Sequence, residues 1–327
     1  MRVLIDFALG LGDSVQLTVV LQHLRRFRPE WDLYLRIGRG KHPVGRGYCH
    51  RVWHDQEPGP PEQDFDQVLR LGWFECYTAY ADHPSTKACN CLREVFSIRP
   101  VPELCRYRLE TAQEDREVTA RYLRSIGCER RYSGRFNAMV LHYQGNTSPW
   151  RKNLTDEQAG QMCELAVNRG FVPVVLDWDR RSPLPDQRRI HCPLVGSEDI
   201  WGHFGSGDAS RIAALVEQSS FFLGIDSGPG KCAAATSTPA LIVWTEHHPI
   251  QFHDLDAGNV LHLVPEHHLS MPLACHEAAR RYFVENYRFR TYRPDELSEA
   301  LFREVDAMMR SSRFVGQPRL CVPEERP

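Results

Sequence analysis

Apolar positions along the chain switch repeatedly between a strand-like run and a helical spacing. Val3, Leu4, Ile5 and Phe7 form the first run, and Leu17, Val20, Leu21, Leu24 and Phe27 then recur at the three-to-four-residue interval of a helix. Ala8 to Gly12 lies between them as a glycine-containing turn. Pro29 ends the helix and Asp32 to Arg36 predicts a second strand, so the chain opens as a parallel α/β sheet. Further strands are predicted near Arg51 to Trp53 and at Gln67 to Leu71, and helices at Lys87 to Phe96 and Glu114 to Ile126.

A polar stretch, Cys128 to Arg135, interrupts the pattern, which then restarts. Asn137 to His142 predicts a strand, and Thr155 to Arg169 a helix whose start is marked by Thr155 and Glu157. Phe171 to Asp177, Ser220 to Ile225 and Ala240 to Trp244 predict strands, alternating with helices at Asp208 to Gln218 and Gly230 to Ser237. Pro294 to Met309 reads as a final amphipathic helix. Two successive βα arrays joined by a polar linker predict two doubly wound sheets facing one another. In such sheets ligands bind outside the carboxyl ends of the strands, where Asp13, His142 and Asp226 fall.

Composition narrows the function. A length of 327 residues with 42% hydrophobic content fills the cores of two domains. The formal net charge of -2 argues against a general nucleic-acid binder, which needs a basic footprint. No run approaches the ~18 apolar residues of a membrane span. The eleven Cys are scattered without repeated spacing, and Asp6 interrupts what would be the apolar core of a signal peptide. Reduced thiols and a cytoplasmic setting are expected, with peripheral contact at the inner membrane left open.

The segment from Phe221 to Ala235 carries the most chemistry. It predicts a buried strand, then Asp226, Ser227 and Gly228 in a tight turn, then a small-residue helix with Gly230 and Lys231 in its first turn. The N-H groups of Gly228, Gly230 and Lys231 and the Lys231 charge suit a phosphate. Ordinary capping, with Asp226 or Ser227 as N-cap and Pro229 just inside the helix, explains the same residues. His247, His248 and His253 with Glu246 invite a metal, yet they lack the helical His-x-x-x-His spacing. Cys89, Cys91 and Cys105 lack the spacing of zinc pairs and are read as buried thiols, so no metal site is expected.

Three segments, in order, resemble glycosyltransferase family 9, the heptosyltransferase family. Gly10-Leu11-Gly12-Asp13-Ser14-Val15, with the following helix and Arg28-Pro29-Glu30, is similar to the family's opening Gly-Asp turn, and Asp13 matches its proposed catalytic base. Leu141-His142 through Trp150-Arg151-Lys152 resembles its donor-phosphate loop, and places Thr147, Ser148 and Lys152 on the donor side. Asp226-Ser227-Gly228 with the Ala-rich helix and Pro239 is the most specific of the three. The resemblance covers about the first 250 residues, and an ordered set of motifs is harder to meet by chance than one glycine pair. Lys231 stands where the family usually has a His, and Asn153 and Leu154 follow Lys152 where a Trp is usual. Asp177-Trp178-Asp179-Arg180-Arg181 replaces the Gly-rich, acid-bearing turn after the next strand.

The resemblance implies the GT-B architecture, two Rossmann-like domains facing an interdomain cleft. Residues 1–130 would form the acceptor-side domain and 136–293 the nucleotide-sugar-binding domain, with the 294–327 helix and tail packing back toward the first. It implies inverting transfer of a sugar, by default heptose from ADP-heptose, to a hydroxyl of a glycan, lipid-linked or protein acceptor, without a cofactor or metal. Asp13 would take the acceptor proton while Lys152, Lys231 and the helix start neutralise the departing diphosphate, with Asp226 on the sugar hydroxyls. Arg36, Arg39 and Lys41, with Arg46 and Arg51, would meet an anionic acceptor. Two other readings stand beside this one: a non-catalytic sugar-nucleotide or glycan-binding protein of the same fold, and a nucleotide-cofactor oxidoreductase. Against the latter, Gly10-Leu11-Gly12 lacks the third glycine of the dinucleotide fingerprint, and Tyr34 and Arg36 stand where a ribose-binding acid belongs.

Overall fold

Strand order in both sheets places the ends of particular strands at a point where the chain reverses direction across the sheet. In the computed structural model, β1 (Arg2–Phe7), β2 (Asp32–Ile37), β3 (Arg51–His54) and β4 (Gln67–Arg70) form a parallel sheet in the order β3-β2-β1-β4. The chain builds outward from β1 through β3 and then returns to β1's other side, so the switch point lies between β1 and β4. A second parallel sheet holds β5 (Phe136–His142), β6 (Val172–Val175), β7 (Ser219–Ile225), β8 (Ala240–Val243), β9 (Val260–Pro265) and β10 (Phe289–Tyr292) in the order β10-β9-β8-β7-β5-β6. Its switch point lies between β5 and β7. The structure describes residues 1–54, 57–73, 87–131, 133–145, 149–177, 181–187, 189–193, 209–252, 257–269 and 277–314.

The helices are α1 (Leu11–Phe27), α2 (Lys87–Phe96), α3 (Gln113–Ser125), α4 (Pro149–Lys152), α5 (Asp156–Asn168), α6 (Ala209–Gln218), α7 (Gly228–Ala234), α8 (Pro249–Phe252), α9 (Glu277–Asn286) and α10 (Leu297–Phe314). All seven residues of β7 are buried, as expected of a strand covered on both faces in a parallel sheet. Thr155 caps α5 through a capping box whose reciprocal bonds join it to Gln158, the third helical residue. The first helix begins earlier than predicted. Gly10 is the N-cap and Ser14 N-H bonds its carbonyl at 2.9 Å, so Asp13 sits inside the first turn of α1 and not in the turn before it.

The two sheets meet through α1 against α7 and α3 against α6. Leu17 and Val20 of α1 share one apolar core with Cys232 and Ala233 of α7 and with Ile212 and Leu215 of α6. Gly228 is glycine for a steric reason: a Cβ there would stand 2.8 Å from the Leu11 Cβ. A Cβ on Gly12 would lie 3.1 Å from the Lys231 Cε. The N-terminal ends of α1 and α7 are therefore pressed together, with a lysine stem laid across the seam.

The expected return of the C-terminal helix toward the first sheet is not what the structure holds. Ala300, Leu301, Val305 and Met309 of α10 belong to the core of the second sheet with Met139, Leu141, Ala159 and Leu223. Arg169 on the rim of α5 reinforces this docking by donating to Asp306 at 2.6 Å. The apolar stripe of α10 lies beside α5 in the same core, and residues 315–327 lie outside the described range. Leu301 is fully buried there, so Leu301→Ala is expected to cost about 2–5 kcal/mol through lost transfer energy and a residual cavity. A urea titration with unchanged slope and a lowered midpoint checks it; an unshifted midpoint would mean that α10 is only loosely attached.

Candidate active site

Both switch points open onto one cleft of 320 Å³. The β1–α1 loop contributes Leu9 and Gly10, α1 contributes Leu11, Gly12, Asp13 and Gln16, and the segment after β4 contributes Trp73. From the second sheet come Asp226, Ser227, Gly228 and Lys231 after β7, Lys152 at the end of α4, and His247 after β8. Lys87, which opens α2, completes the wall beside Asp13. An open groove of 680 Å³ between α3 and α6 is wider, lined by Arg116, Arg121, Arg124 and Arg130 with Glu117 and Glu217. It sits at the amino ends of β5 and β7, away from the carboxyl edge where parallel sheets bind ligands.

Three ammonium groups and two carboxylates face the smaller cleft. Lys87, Lys152 and Lys231 are each at most 9% exposed, and burying such charges is unfavourable unless anions answer them. Lys87 Nζ lies 3.3 Å from Asp13 Oδ1, so the candidate base is held in an ion pair from a helix 74 residues away in sequence. Burial alone would push the Asp226 carboxyl up. The hydrogen bond from His247 Nδ1 to Oδ2 at 3.0 Å, with the charges of Lys231 and Lys152, more than reverses this, and Asp226 sits below the ordinary carboxylate range. His142 ends β5 fully buried, and burial, aided by Lys152 and Arg181, pushes it down to about 3. It is neutral, with Nδ1 at 2.9 Å from Ser227 Oγ, which in turn donates to the Ile225 carbonyl.

The donor-side residues divide under this geometry. Lys152 was expected in a polar loop and is instead the buried last residue of α4, its stem against Gly145. Asp226 does not cap α7: Ser227 is the N-cap, without a side-chain hydrogen bond, while Asp226 is occupied by His247. Ser227, Gly228 and Lys231 line the cleft, but the Lys231 N-H is spent on the Ser227 carbonyl at 3.3 Å. Gly230 faces away and makes room for Ile242, since a Cβ there would meet Ile242 Cδ1 at 3.0 Å. Thr147, Ser148 and His253 lie outside the described residues.

Of the basic run, Arg36 pairs with Asp6 at 2.6 Å and with Glu62 at 3.3 Å beside the first sheet and does not line the cleft. Arg39 is exposed. Lys41 reaches the site only from behind, donating to the Leu9 carbonyl at 2.7 Å. Asp177 accepts from the N-H groups of Arg181 at 3.1 Å and Ser182 at 2.7 Å, so its carboxylate closes its own loop. Cys89, Cys91 and Cys105 are buried free thiols, and among the described residues no group of three or more His, Cys, Asp or Glu is arranged to hold a metal ion.

Lys87, Trp73, Gln16 and His247 are cleft residues that sequence reasoning did not assign. Lys87 carried a signal: a lysine at a helix N-terminus opposes the macrodipole and calls for an anionic partner. Trp73 follows a predicted strand, is 2% exposed, and among the described residues its indole N-H has no hydrogen-bond acceptor.

No protein-family model and no curated protein sequence matches the chain. Solved structures do. A glycosyltransferase of family 9 from Veillonella parvula superposes with a TM-score of 0.63 at 13% identity, covering 95% of this chain and 97% of that one. The E. coli ADP-heptose LPS heptosyltransferase II gives 0.61 at 11% identity, over 95% and 99% of the two chains. The E. coli heptosyltransferase WaaC with ADP gives 0.53 at 13%, over 95% and 100%. The fold is that of the family 9 glycosyltransferases. Both parallel sheets of this GT-B fold are present, and among the described residues no helix is long and apolar enough to cross a membrane.

The depressed Asp226 carboxyl makes a stability statement. Its unfolded counterpart titrates near pH 3.9, so the stabilisation is fully present above about pH 4 and is lost as pH falls through the lower folded value. Asp226→Asn should therefore melt below wild type at pH 7, with the gap closing as pH falls below about 4. Melting curves across that range check it, and a gap that is constant with pH would show that the charge contributes nothing.

Proposed function

We propose that this chain is a glycosyltransferase that moves a sugar from a nucleotide diphosphate donor to an acceptor hydroxyl, with heptose from ADP-heptose as the first donor to test. The observation that carries the reading is the convergence of Asp13 with Lys152, Lys231 and Asp226 in one cleft at the carboxyl edges of both sheets. The fold it shares with the family 9 enzymes supports the same reading. One wall offers a carboxylate at the β1/β4 switch point for the acceptor proton. The other offers buried ammonium groups at the β5/β7 switch point for a diphosphate.

The order of events follows from charge. A diphosphate entering the cleft answers the ammonium groups of Lys152 and Lys231, which binding converts from a desolvation cost into attraction. The sugar then lies between the two walls. Asp13 takes the acceptor proton as the acceptor oxygen attacks the anomeric carbon from the side opposite the diphosphate, which inverts that centre. The same lysines stabilise the charge that grows on the departing diphosphate, so the chemistry calls for no metal. Lys87 orients Asp13, and Trp73 borders the acceptor side with an N-H suited to a sugar oxygen. The acceptor is a glycan, lipid-linked or protein hydroxyl.

Thermal stabilisation by ADP, UDP, GDP, NAD and sugar conjugates of the first three tests the reading, since a ligand that binds only the native state raises the melting temperature. ADP or an ADP-sugar is expected to give the largest shift. Preference for UDP or GDP would replace the donor, and preference for NAD would overturn the assignment. For the chemistry, Asp13→Asn retains shape and removes the basic carboxylate, so transfer should fall about 10²-fold or more with donor affinity little changed. Single-turnover transfer and donor binding on one preparation check it. Near-normal transfer would eliminate Asp13 as the base.

A further inference from the structure

His247 joins the site through a carboxylate that the sequence assigns to sugar binding. It follows β8 at the carboxyl edge of the second sheet, lines the same cleft as Asp13, and holds Asp226 through Nδ1 at 3.0 Å. A carboxylate on one ring nitrogen fixes the tautomer and the ring plane, and leaves protonation of Nε2 to decide the charge of the ring. The groups around it set opposing demands. Asp226 at the end of β7 puts negative charge against the ring, whereas Lys231 of α7 and Lys152 of α4 bring positive charge into the same cleft. Arg151 and Glu246 cancel in an ion pair at 3.1 Å. His268, beyond β9, is pushed down to about 4 by burial and by His267 and His247, and His248 is buried against it. Across the cleft Lys87 and Asp13 form their own pair.

An anion added to this cleft changes the balance. The ring then lies between two anions, Asp226 and the ligand, while the lysines turn toward the new charge. We propose that His247 takes up a proton as the diphosphate of a sugar nucleotide enters the cleft and, as imidazolium, donates a hydrogen bond to the diphosphate oxygen that departs. This rests on the sugar-nucleotide reading of the cleft. When the anomeric C-O bond breaks, its electron pair passes to that diphosphate oxygen. The acceptor oxygen bonds the anomeric carbon, the acceptor proton passes to Asp13, and the proton on His247 stays in place. Asp226 is on this account a positioning residue for the imidazolium as well as a neighbour of the sugar.

Titration calorimetry of the full chain at pH 7.5 in two buffers of unlike ionisation enthalpy reads proton uptake directly. ADP-glucose is the probe, with UDP-glucose as second arm, because each of their phosphates linking sugar and nucleoside is esterified on both sides and does not titrate near neutrality, unlike a terminal phosphate. Wild type is expected to take up a fraction of a proton on binding. His247→Asn should abolish the uptake and weaken binding about tenfold, the effect of losing a charged hydrogen bond. Asp226→Asn should reduce the uptake. Melting curves establish that each variant is folded, and His247→Gln stands in if the asparagine variant is not. Binding without uptake in wild type, or unchanged uptake in the folded His247 variant, overturns the proposal. Failure of ADP-glucose, UDP-glucose and, as a third arm, GDP-mannose to bind wild type overturns the sugar-nucleotide reading itself, and this proposal with it.

Discussion

The site depends on the close approach of α1 and α7. Two parallel sheets on separate stretches of chain have no reason to align their switch points unless something fixes the distance between them. Here the first turns of the two helices touch through Leu11 and Gly228, with Gly12 packed against the Lys231 stem. Neither glycine has an unusual backbone angle, so conformational freedom is not what places them there. Their small size is. It lets two helix N-termini, each with unsatisfied N-H groups, face the same small volume. Asp13 directly follows Gly12 and Lys231 stands three residues after Gly228, which puts candidate base and candidate diphosphate cation on opposite walls of one cleft.

Such a site works against folding. Helix N-termini repel cations, yet Lys87 opens α2. All three cleft lysines are buried, where an ammonium loses its hydration. Asp13 and Asp226 compensate in part. An anionic ligand entering the cleft would add to that compensation, and so would stabilise the fold by the same interactions that bind it. The rest of the molecule must therefore be stable without help from the cleft, and the continuous apolar core joining α1, α6 and α7 supplies that.

The architecture was legible because parallel strands buried on both faces leave uninterrupted apolar runs, as at Phe221 to Ile225. Where a run is broken, the strand escapes notice. β9 carries His262 in its interior, accepted in the core because Trp244 donates to its Nδ1 at 3.1 Å, a partnership between neighbouring strands that no local spacing reveals. β10 is an edge strand of four residues with Arg290 and Thr291 at its centre. The amphipathic stripe of α10 announced a buried face without saying which sheet it meets, and the docking was misjudged for that reason. In the site, Asp13, Lys152 and Asp226 were legible as residues near strand ends. Their partners were not, since Lys87 approaches Asp13 from 74 residues away and His247 approaches Asp226 from 21.

Those two partnerships give the cleft its division of labour. Each carboxylate is paired with one nitrogen base, but of different kinds. Lys87 lies 3.3 Å from Asp13 and orients it from a helix of the same wall. If His247 takes up a proton with the ligand, as proposed, its pairing with Asp226 responds to what enters the cleft. A proton acceptor must be ready before its substrate arrives, whereas a group that stabilises a leaving anion is needed only when that anion is present. The first pair stands on the first sheet's wall and the second on the second sheet's, which is the arrangement that the proposed transfer of a sugar across the cleft would require.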